Sequence, residues 1–153
     1  MNRLKGFLFL LPFFAILLFP VDVLIISDGT HSYVGLLGEK DVEITYIHSV
    51  QRSEVIEELK VNKTGIYAIG MLWKDFGAGL PEDVQYSESG YYVKKVNIPL
   101  GKSLSFWFIP LNHAKIIVNK DVVLSITKEA LVNFNVKKCP LILAIMGRCG
   151  YGN

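Results

Sequence analysis

The sequence predicts an all-β fold, an antiparallel sandwich or partly closed barrel of about eight or nine short strands, preceded by one N-terminal apolar helix. Two observations support this prediction. Runs rich in Val, Ile, Tyr and Phe alternate with short turn segments containing Gly, Asn, Asp or Pro. No convincing amphipathic helix follows the N-terminal segment, although Thr127 to Leu131 could form a single helical turn. A chain of 153 residues suits one such domain.

Residues 1–20 have the pattern of a signal anchor or signal peptide. Arg3 and Lys5 precede a run from Gly6 to Phe19 that carries no charged residue. No small-residue cleavage site ends the run, which favours a retained anchor over a removed peptide. Because basic residues stay on the cytoplasmic side, residues 21–138 are expected to form an extracytoplasmic β-domain at the cell membrane, or an exported one if the leader is cleaved.

The composition and the cysteines narrow the function classes. The chain is 51% hydrophobic with a net charge of +2, and it has no basic face with interleaved aromatics, so nucleic-acid binding is not expected.

Residues 139–153 form an apolar tail that holds Cys139 and Cys149. An extracytoplasmic location permits a disulfide between them, and two free or buried thiols are the alternative. The tail is expected to pack on the sheet or to dip into the membrane interface.

Most strands are predicted from β-branched and aromatic runs between turns. Pro99 and Pro110 are expected to end their strands because proline cannot donate to a β-ladder. Residues 119–121 are expected to form a tight hairpin turn. Outside the central hairpin, the predicted strands cover residues 21–26, 31–37, 66–73, 91–100, 103–110, 113–118, 122–126 and 132–136.

Residues 41–62 are predicted to be a central β-hairpin. With the turn at Arg52 and Ser53, alternation places His48 directly opposite Glu57 inside an otherwise apolar row. A longer loop would leave the facing rows intact. The rows are Val42, Ile44, Tyr46, His48 and Val50 on the first arm, and Val55, Glu57, Leu59 and Val61 on the second.

His48 and Glu57 are the first candidate site. A carboxylate facing an imidazole can orient it, raise its basicity or join it as a metal ligand. The alternative is a buried pair that satisfies its own polar groups. Ser49 points to the other face of the strand and cannot complete a triad with His48.

The loop Phe76 to Pro81 is the second candidate. Gly77 and Gly79 permit close backbone approach, so successive amides could form an anion-binding nest, and a tight corner is the alternative. Asp75 would add a further carboxylate if the loop folds back over the hairpin end. His113, beside Asn112 at a strand mouth, is a third candidate, and such a histidine is usually a surface or capping residue.

Three short sequence motifs, named here the family motifs, carry a resemblance to a known protein family. They are Tyr46-Ile47-His48-Ser49-Val50 followed by Val55 and Glu57, then Phe76-Gly77-Ala78-Gly79-Leu80-Pro81, then Asn112-His113 before a strand. Together they resemble the domain of unknown function 1850 family, over about residues 21–136. Gln51, Arg52 and Asp75 depart from the family pattern.

The resemblance implies an accessory role without an established catalytic activity or cofactor. Members are small, membrane-anchored or exported prokaryotic proteins, often encoded beside tripartite ATP-independent periplasmic (TRAP) transporters of the TAXI type. We therefore expect a tethered accessory or binding domain whose partner is the transporter permease or its solute-binding protein. The alternatives are a metal-dependent or acid-base hydrolase of the cell envelope using His48, Glu57, Asp75 and His113, and a structural envelope protein without a ligand.

Overall fold

The computed structural model describes residues 14–77 and 79–149, in which antiparallel strands form two sheets. This confirms the predicted all-β class, with more strands than expected, and the short β6 is the strand that lies outside the predicted segments. The strands are β1 (Pro20–Ser27), β2 (Ser32–Leu36), β3 (Lys40–Ile47), β4 (Glu54–Asn62), β5 (Gly65–Trp73), β6 (Tyr86–Glu88), β7 (Tyr91–Gly101), β8 (Ser103–Phe108), β9 (Lys115–Val118), β10 (Asp121–Ser125) and β11 (Ala130–Pro140).

The two sheets are open rather than closed into a barrel. The four-stranded sheet has the order β2-β1-β11-β8, and the seven-stranded sheet has the order β10-β9-β3-β4-β5-β7-β6. In the small sheet β1 and β11 pair from Pro20 opposite Pro140 to Ser27 opposite Asn133. The first and last strands of the domain are therefore neighbours, and of the two predicted architectures the sandwich is the one observed.

The core lies between the inner faces of the sheets. Its fully buried members come from alternate positions, as a period of two residues requires. Those from the small sheet include Leu24, Ile26 and Phe134, and those from the large sheet include Ile44, Leu59 and Ile116. The predicted alternation of the central hairpin is confirmed for Ile44 and Leu59.

Two local predictions are wrong and one is confirmed. Thr127 to Leu131 forms no helical turn, because Ala130 and Val132 turn into the core as alternate residues of β11. Pro99 lies inside β7 rather than at its end, beside a shift in the β5–β7 register that accommodates a residue without an N–H. The turn at residues 119–121 is confirmed, with positive φ at Asn119 and Lys120.

The first and last described segments of the chain meet at one end of the small sheet. Residues 14–18 are helical, and residues 1–13, which hold most of the predicted leader, lie outside the described residues. No helix in the described ranges is both long and apolar enough to cross a bilayer. Cys139 and Cys149 form a disulfide that encloses the short helix α1 (Leu141–Ile145). Buried Ala144 packs against Val23 and Ile25. The tail therefore packs on the sheet, which is one of the two arrangements predicted for it.

The sandwich therefore has two distinct ends. We name the end at which Pro20 pairs with Pro140 the terminal end. The opposite end, at which Phe108 pairs with Ala130, is named the loop end. Tyr46 on β3 packs its ring 5.8 Å from that of Phe108, which places the tip of the β3–β4 hairpin at the loop end.

Candidate functional site

Three segments meet at the loop end, and each contains all or part of one of the three family motifs. They are the β3–β4 loop (residues 48–53), the β5–β6 loop (residues 74–85) and the 3-10 turn Pro110–Asn112. Gly77 of the second loop contacts the side chain of Gln51 in the first. The 3-10 turn is joined to β3 by a hydrogen bond from Asn112 Nδ2 to the carbonyl oxygen of Ile47, 2.9 Å long.

The predicted pairing of His48 with Glu57 is wrong. Tyr46 pairs with Val55, and Ile44 pairs with Glu57, so β3 ends at Ile47 before His48 is reached. The loop has six residues rather than a two-residue turn, which shifts the register by four positions. A shift by an even number keeps every side chain on its predicted face. Glu57 thus faces inward as expected, but His48 does not lie across from it.

Tyr46 takes the place predicted for His48. Its hydroxyl donates a 3.0 Å hydrogen bond to Oε1 of Glu57, and both side chains are partly buried. Burial raises the pKa of Glu57, while the hydrogen bond from Tyr46 lowers it by a smaller amount. Burial, followed by the neighbouring Glu57 carboxyl group, raises the pKa of Tyr46. The pair is therefore an inward-facing polar contact in which Tyr46 stays the donor.

His48 organises the β3–β4 loop. Its backbone N–H donates to the carbonyl oxygen of Ser53 at 2.8 Å, and its carbonyl oxygen accepts from the N–H of Arg52 at 2.9 Å. The N–H of Gln51 lies 3.4 Å from Nδ1 of His48, a long contact. Arg52 adopts a positive φ of 58° to close the loop. Ser49 is exposed and stands outside these contacts.

The loop Phe76 to Pro81 is fixed by apolar packing. Leu80 is buried against Val55 and Trp73. The Phe76 ring lies 4.4 Å from that of Tyr92, although Phe76 remains 49% exposed.

The backbone of this loop turns tightly. The N–H of Leu80 donates to Gly77 at 3.0 Å, and Gly79 has a φ of 85°. Half-buried Pro81 follows, and Ala78 lies outside the described residues. These contacts form a tight corner, which was the alternative to an anion-binding nest. The backbone N–H of Leu80 already donates to Gly77 within this corner.

Asn112, which entered the sequence prediction only beside His113 in the third family motif, has a structural role. Besides its bond to Ile47, its Oδ1 accepts from the N–H of Ile109 at 2.9 Å, which closes the 3-10 turn. A turn ending in Asn before a strand was the available signal. His113 follows with a positive φ of 46° and is exposed, as is Asp75. Neither side chain is brought to Glu57.

Three buried polar atoms at or beneath the loop end have no hydrogen-bond partner. They are Oε1 of Gln51, Oγ of Ser53 and Nε1 of Trp73, and within the described ranges no other buried side-chain nitrogen or oxygen shares this condition. Trp73 is 0% exposed and Ser53 is 9% exposed. An unpaired buried polar group costs about 1 to 3 kcal/mol, so each of these atoms calls for an explanation, such as a hydrogen bond to a bound water, an ion or a partner.

The profile of the family described as Domain of unknown function (DUF1850) matches residues 42–124, slightly more than half of the chain. The chain belongs to this family. No curated protein matches, and no solved structure matches.

The DUF1850 match contains nearly all of the seven-stranded sheet, from Val42 in β3 to Leu124 in β10, and all three loop-end segments. It leaves out β1, β2 and β11, which complete the small sheet and close the core from the other side. The segment that matches the family therefore consists mainly of the seven-stranded sheet and the loops at its loop end.

A shallow aromatic cleft opens on this DUF1850 surface. It has a volume of about 350 Å³ and lies where β3 and its loop meet β8 and the 3-10 turn. Trp107 is 60% exposed at its edge, and half-buried His48 contributes a polar group. The lining residues are Tyr46, His48, Ser49, Phe106, Trp107, Phe108, Ile109 and Asn112. Such a cleft can hold an aromatic or apolar group beside a hydrogen-bonding histidine.

The described residues of this chain bring no group of metal ligands together. Among residues 14–77 and 79–149, no three His, Cys, Asp or Glu side chains are close enough to hold a metal ion. The four residues suggested for a hydrolase, His48, Glu57, Asp75 and His113, all lie in these ranges. They do not form a metal-binding group, and Glu57 is engaged with Tyr46.

Proposed function

We propose that this protein is a membrane-tethered extracytoplasmic binding domain whose contact surface is the loop end, and that its partner belongs to a TRAP-type (TAXI) solute transporter. It is proposed to act by binding, without catalysis of its own. The partner class comes from the family resemblance, and the contact surface comes from the geometry.

One observation carries the choice of surface. The unpaired buried atoms of Gln51 and Ser53 lie in the β3–β4 loop, and that of Trp73 lies at the end of β5 directly beneath the loops that hold the family motifs. A domain optimised only for stability would pair these atoms or replace them with apolar groups. Polar groups kept unpaired at one end of a sandwich are expected where a partner or bound water supplies the missing hydrogen bonds.

The exposed side chains at the loop end suit a protein partner. Val50 in the β3–β4 loop is 67% exposed, and Trp107, Phe76 and Leu111 are each at least 45% exposed. Ion pairs lie beside them, such as that between Lys74 Nζ and Glu54 Oε2, which are 3.0 Å apart. Exposed aromatic and aliphatic side chains surrounded by charged groups are typical of protein-binding surfaces, in which a few aromatic anchors dominate the binding energy.

The tether is supported by the sequence and by the disulfide. The run from Gly6 to Phe19 has no charge and follows Arg3 and Lys5. The bond between Cys139 and Cys149 is of the kind that persists in oxidising compartments outside the cytoplasm.

Site-specific photo-crosslinking in intact cells tests the proposed surface. A photoreactive phenylalanine analogue is placed at Val50, at the loop end, and at Val122 on the edge strand β10, which is similarly exposed at 57%. We expect a crosslink to the solute-binding protein or permease from position 50 and none from position 122. Equal crosslinking from both positions, or none from position 50, would contradict the proposal.

A further inference from the structure

Two apolar segments meet at the terminal end, away from the proposed contact surface. The N–H of Leu141, the first residue of α1, donates to the carbonyl oxygen of Phe19 at 3.0 Å. Ala15, Ile16, Phe19 and Leu141 line a shared apolar hollow of about 390 Å³. The C-terminal helix is therefore adjacent to the end of the predicted anchor.

Helix α1 presents most of its apolar side chains to solvent. Ala144 packs on the sheet, whereas Ile145 is 67% exposed and Met146 is 52% exposed. Ile142 and Leu143 are exposed as well. With Ile16, Leu18 and Phe19 beside them, they form one apolar surface larger than scattered surface residues would give.

The disulfide holds this surface in place. Five residues are too few for a stable isolated helix. Cys139 and Cys149 are buried against Val23 and Ile25, so the crosslink fixes both ends of the segment 139–149 on the small sheet. The bond therefore holds the exposed apolar face of α1 in one orientation.

The charged residues of the segment that contains α1 are all basic. From Lys137 to Cys149 the sequence contains Lys137, Lys138 and Arg148 and no acidic residue. Lys138 also pairs with Asp22 at 3.2 Å. Basic residues flanking an apolar helix match the anionic headgroups and acyl chains of a bilayer surface.

We propose that α1, held by the Cys139–Cys149 disulfide, inserts its exposed apolar side chains into the interface of an anionic lipid bilayer beside the N-terminal segment. This proposal rests on the membrane tether of the proposed function. The domain is then attached at two adjacent points rather than by one flexible chain.

Two attachments fix which way the domain faces. β11 runs from Pro140 at the terminal end to Ala130 at the loop end, and its 11 residues span about 33 Å at the usual rise of a strand. The contact surface is thus held roughly 30 Å from the bilayer and points away from it. This position suits an extramembrane partner, such as a solute-binding protein, better than the lipid-buried part of a permease.

Photolabelling from within the bilayer tests the second attachment. The full chain is reconstituted in phosphatidylethanolamine–phosphatidylglycerol vesicles that contain a lipid with a diazirine in its acyl chain, and labelled peptides are identified by mass spectrometry. We expect adducts in the peptide with residues 14–19 and in the peptide with residues 141–146. In the I145E/M146E variant, labelling of the second peptide should fall about fivefold or more, while the first is unchanged. The V122E variant is the matched control and should label as the unmodified protein does.

The outcomes separate the two proposals. Adducts in the N-terminal peptide alone would overturn the second attachment and leave the tether intact, including the case in which residues 1–13 or a partner helix cover α1. Protein that neither sediments with vesicles nor takes up label would overturn the tether and the second attachment together. Thermal melting of I145E/M146E, whose substituted side chains are exposed, should match that of the unmodified protein and confirms that a loss of labelling is not unfolding.

Discussion

The hydroxyl of Tyr46 donates a 3.0 Å hydrogen bond to Oε1 of Glu57, one strand away on the inner face of the large sheet. Tyr46 also packs on Phe108 of the opposite sheet. The same side chain therefore joins the two sheets and supplies a partner for the inward-facing carboxyl group, just beneath the β3–β4 loop.

Replacing Tyr46 with Phe tests this contact. The ring packing is kept and the donor is lost, so we expect the free energy of unfolding to fall by about 1 to 2 kcal/mol. Tyr86→Phe is the control, because Tyr86 is 45% exposed, and it should change stability by less than about 0.5 kcal/mol. Denaturant titration of both variants gives the comparison. Equal effects would show that the Tyr46 hydroxyl is not a stabilising donor.

The pH dependence of stability tests the environment of Glu57. Burial raises the pKa of Glu57, so in the window above its ordinary pKa the folded protein holds a proton that the unfolded chain releases. The free energy of unfolding gains this contribution at low pH and loses it as pH rises through the folded-state pKa. Glu57→Gln removes this titration. Its free energy of unfolding, relative to that of the unmodified protein, should therefore increase as pH rises from about 4 to about 8.

Glu129→Gln, at an exposed position, is the control for this pH series. Its stability should run parallel to that of the unmodified protein. An advantage of Glu57→Gln that shrinks with rising pH would contradict the raised pKa of Glu57.

The contact between Gly77 and Gln51 predicts a pair of compensating substitutions. A Cβ at position 77 would collide with the side-chain amide of Gln51, so Gly77→Ala should cost about 1 to 3 kcal/mol. Gln51→Ala removes a side chain whose Oε1 is unpaired, and it should restore most of this loss in the double variant. Gly38→Ala, with open space at its Cβ, is the matched control. Additive losses in the double variant would show that the two loops do not touch in this way.

Reduction of the disulfide should lower stability and release α1. The bond closes a loop between residues ten apart, for which chain entropy predicts a loss of about 2 to 3 kcal/mol. Melting with and without dithiothreitol measures the effect, and a C139S/C149S variant should melt at the reduced temperature under both conditions. A melting temperature indifferent to reductant would show that the tail is held by packing alone.

The alternation of apolar side chains predicted the fold class and the inner face of the central hairpin correctly. Val42, Ile44, Leu59 and Val61 are all buried as expected. The register could not be obtained in the same way, because it depends on the length of the loop after Ile47. Nothing in the local pattern distinguishes a two-residue turn from a six-residue loop when both keep the same face inward.

The arrangement of the candidate site depended on contacts that are distant in sequence. The bond from Asn112 to Ile47 spans 65 residues, and neither residue carries a local pattern that indicates it. The packing of Gln51 on Gly77 likewise depends on how two loops approach. The three family motifs lie in segments that meet in the structure, whereas the contacts within them, above all Tyr46 rather than His48 for Glu57, required the three-dimensional arrangement.

The most direct test of the loop end as a contact surface is an affinity measurement. The full chain in nanodiscs is titrated with the solute-binding protein of the transporter, using the unmodified protein, Trp107→Ala at the loop end and Val122→Ala on β10, two exposed apolar positions. An exposed aromatic anchor is worth about 1.4 kcal/mol or more, so Trp107→Ala should raise the Kd about tenfold while Val122→Ala leaves it within about twofold. Equal Kd values for both variants, or no binding by the unmodified protein, would contradict the account.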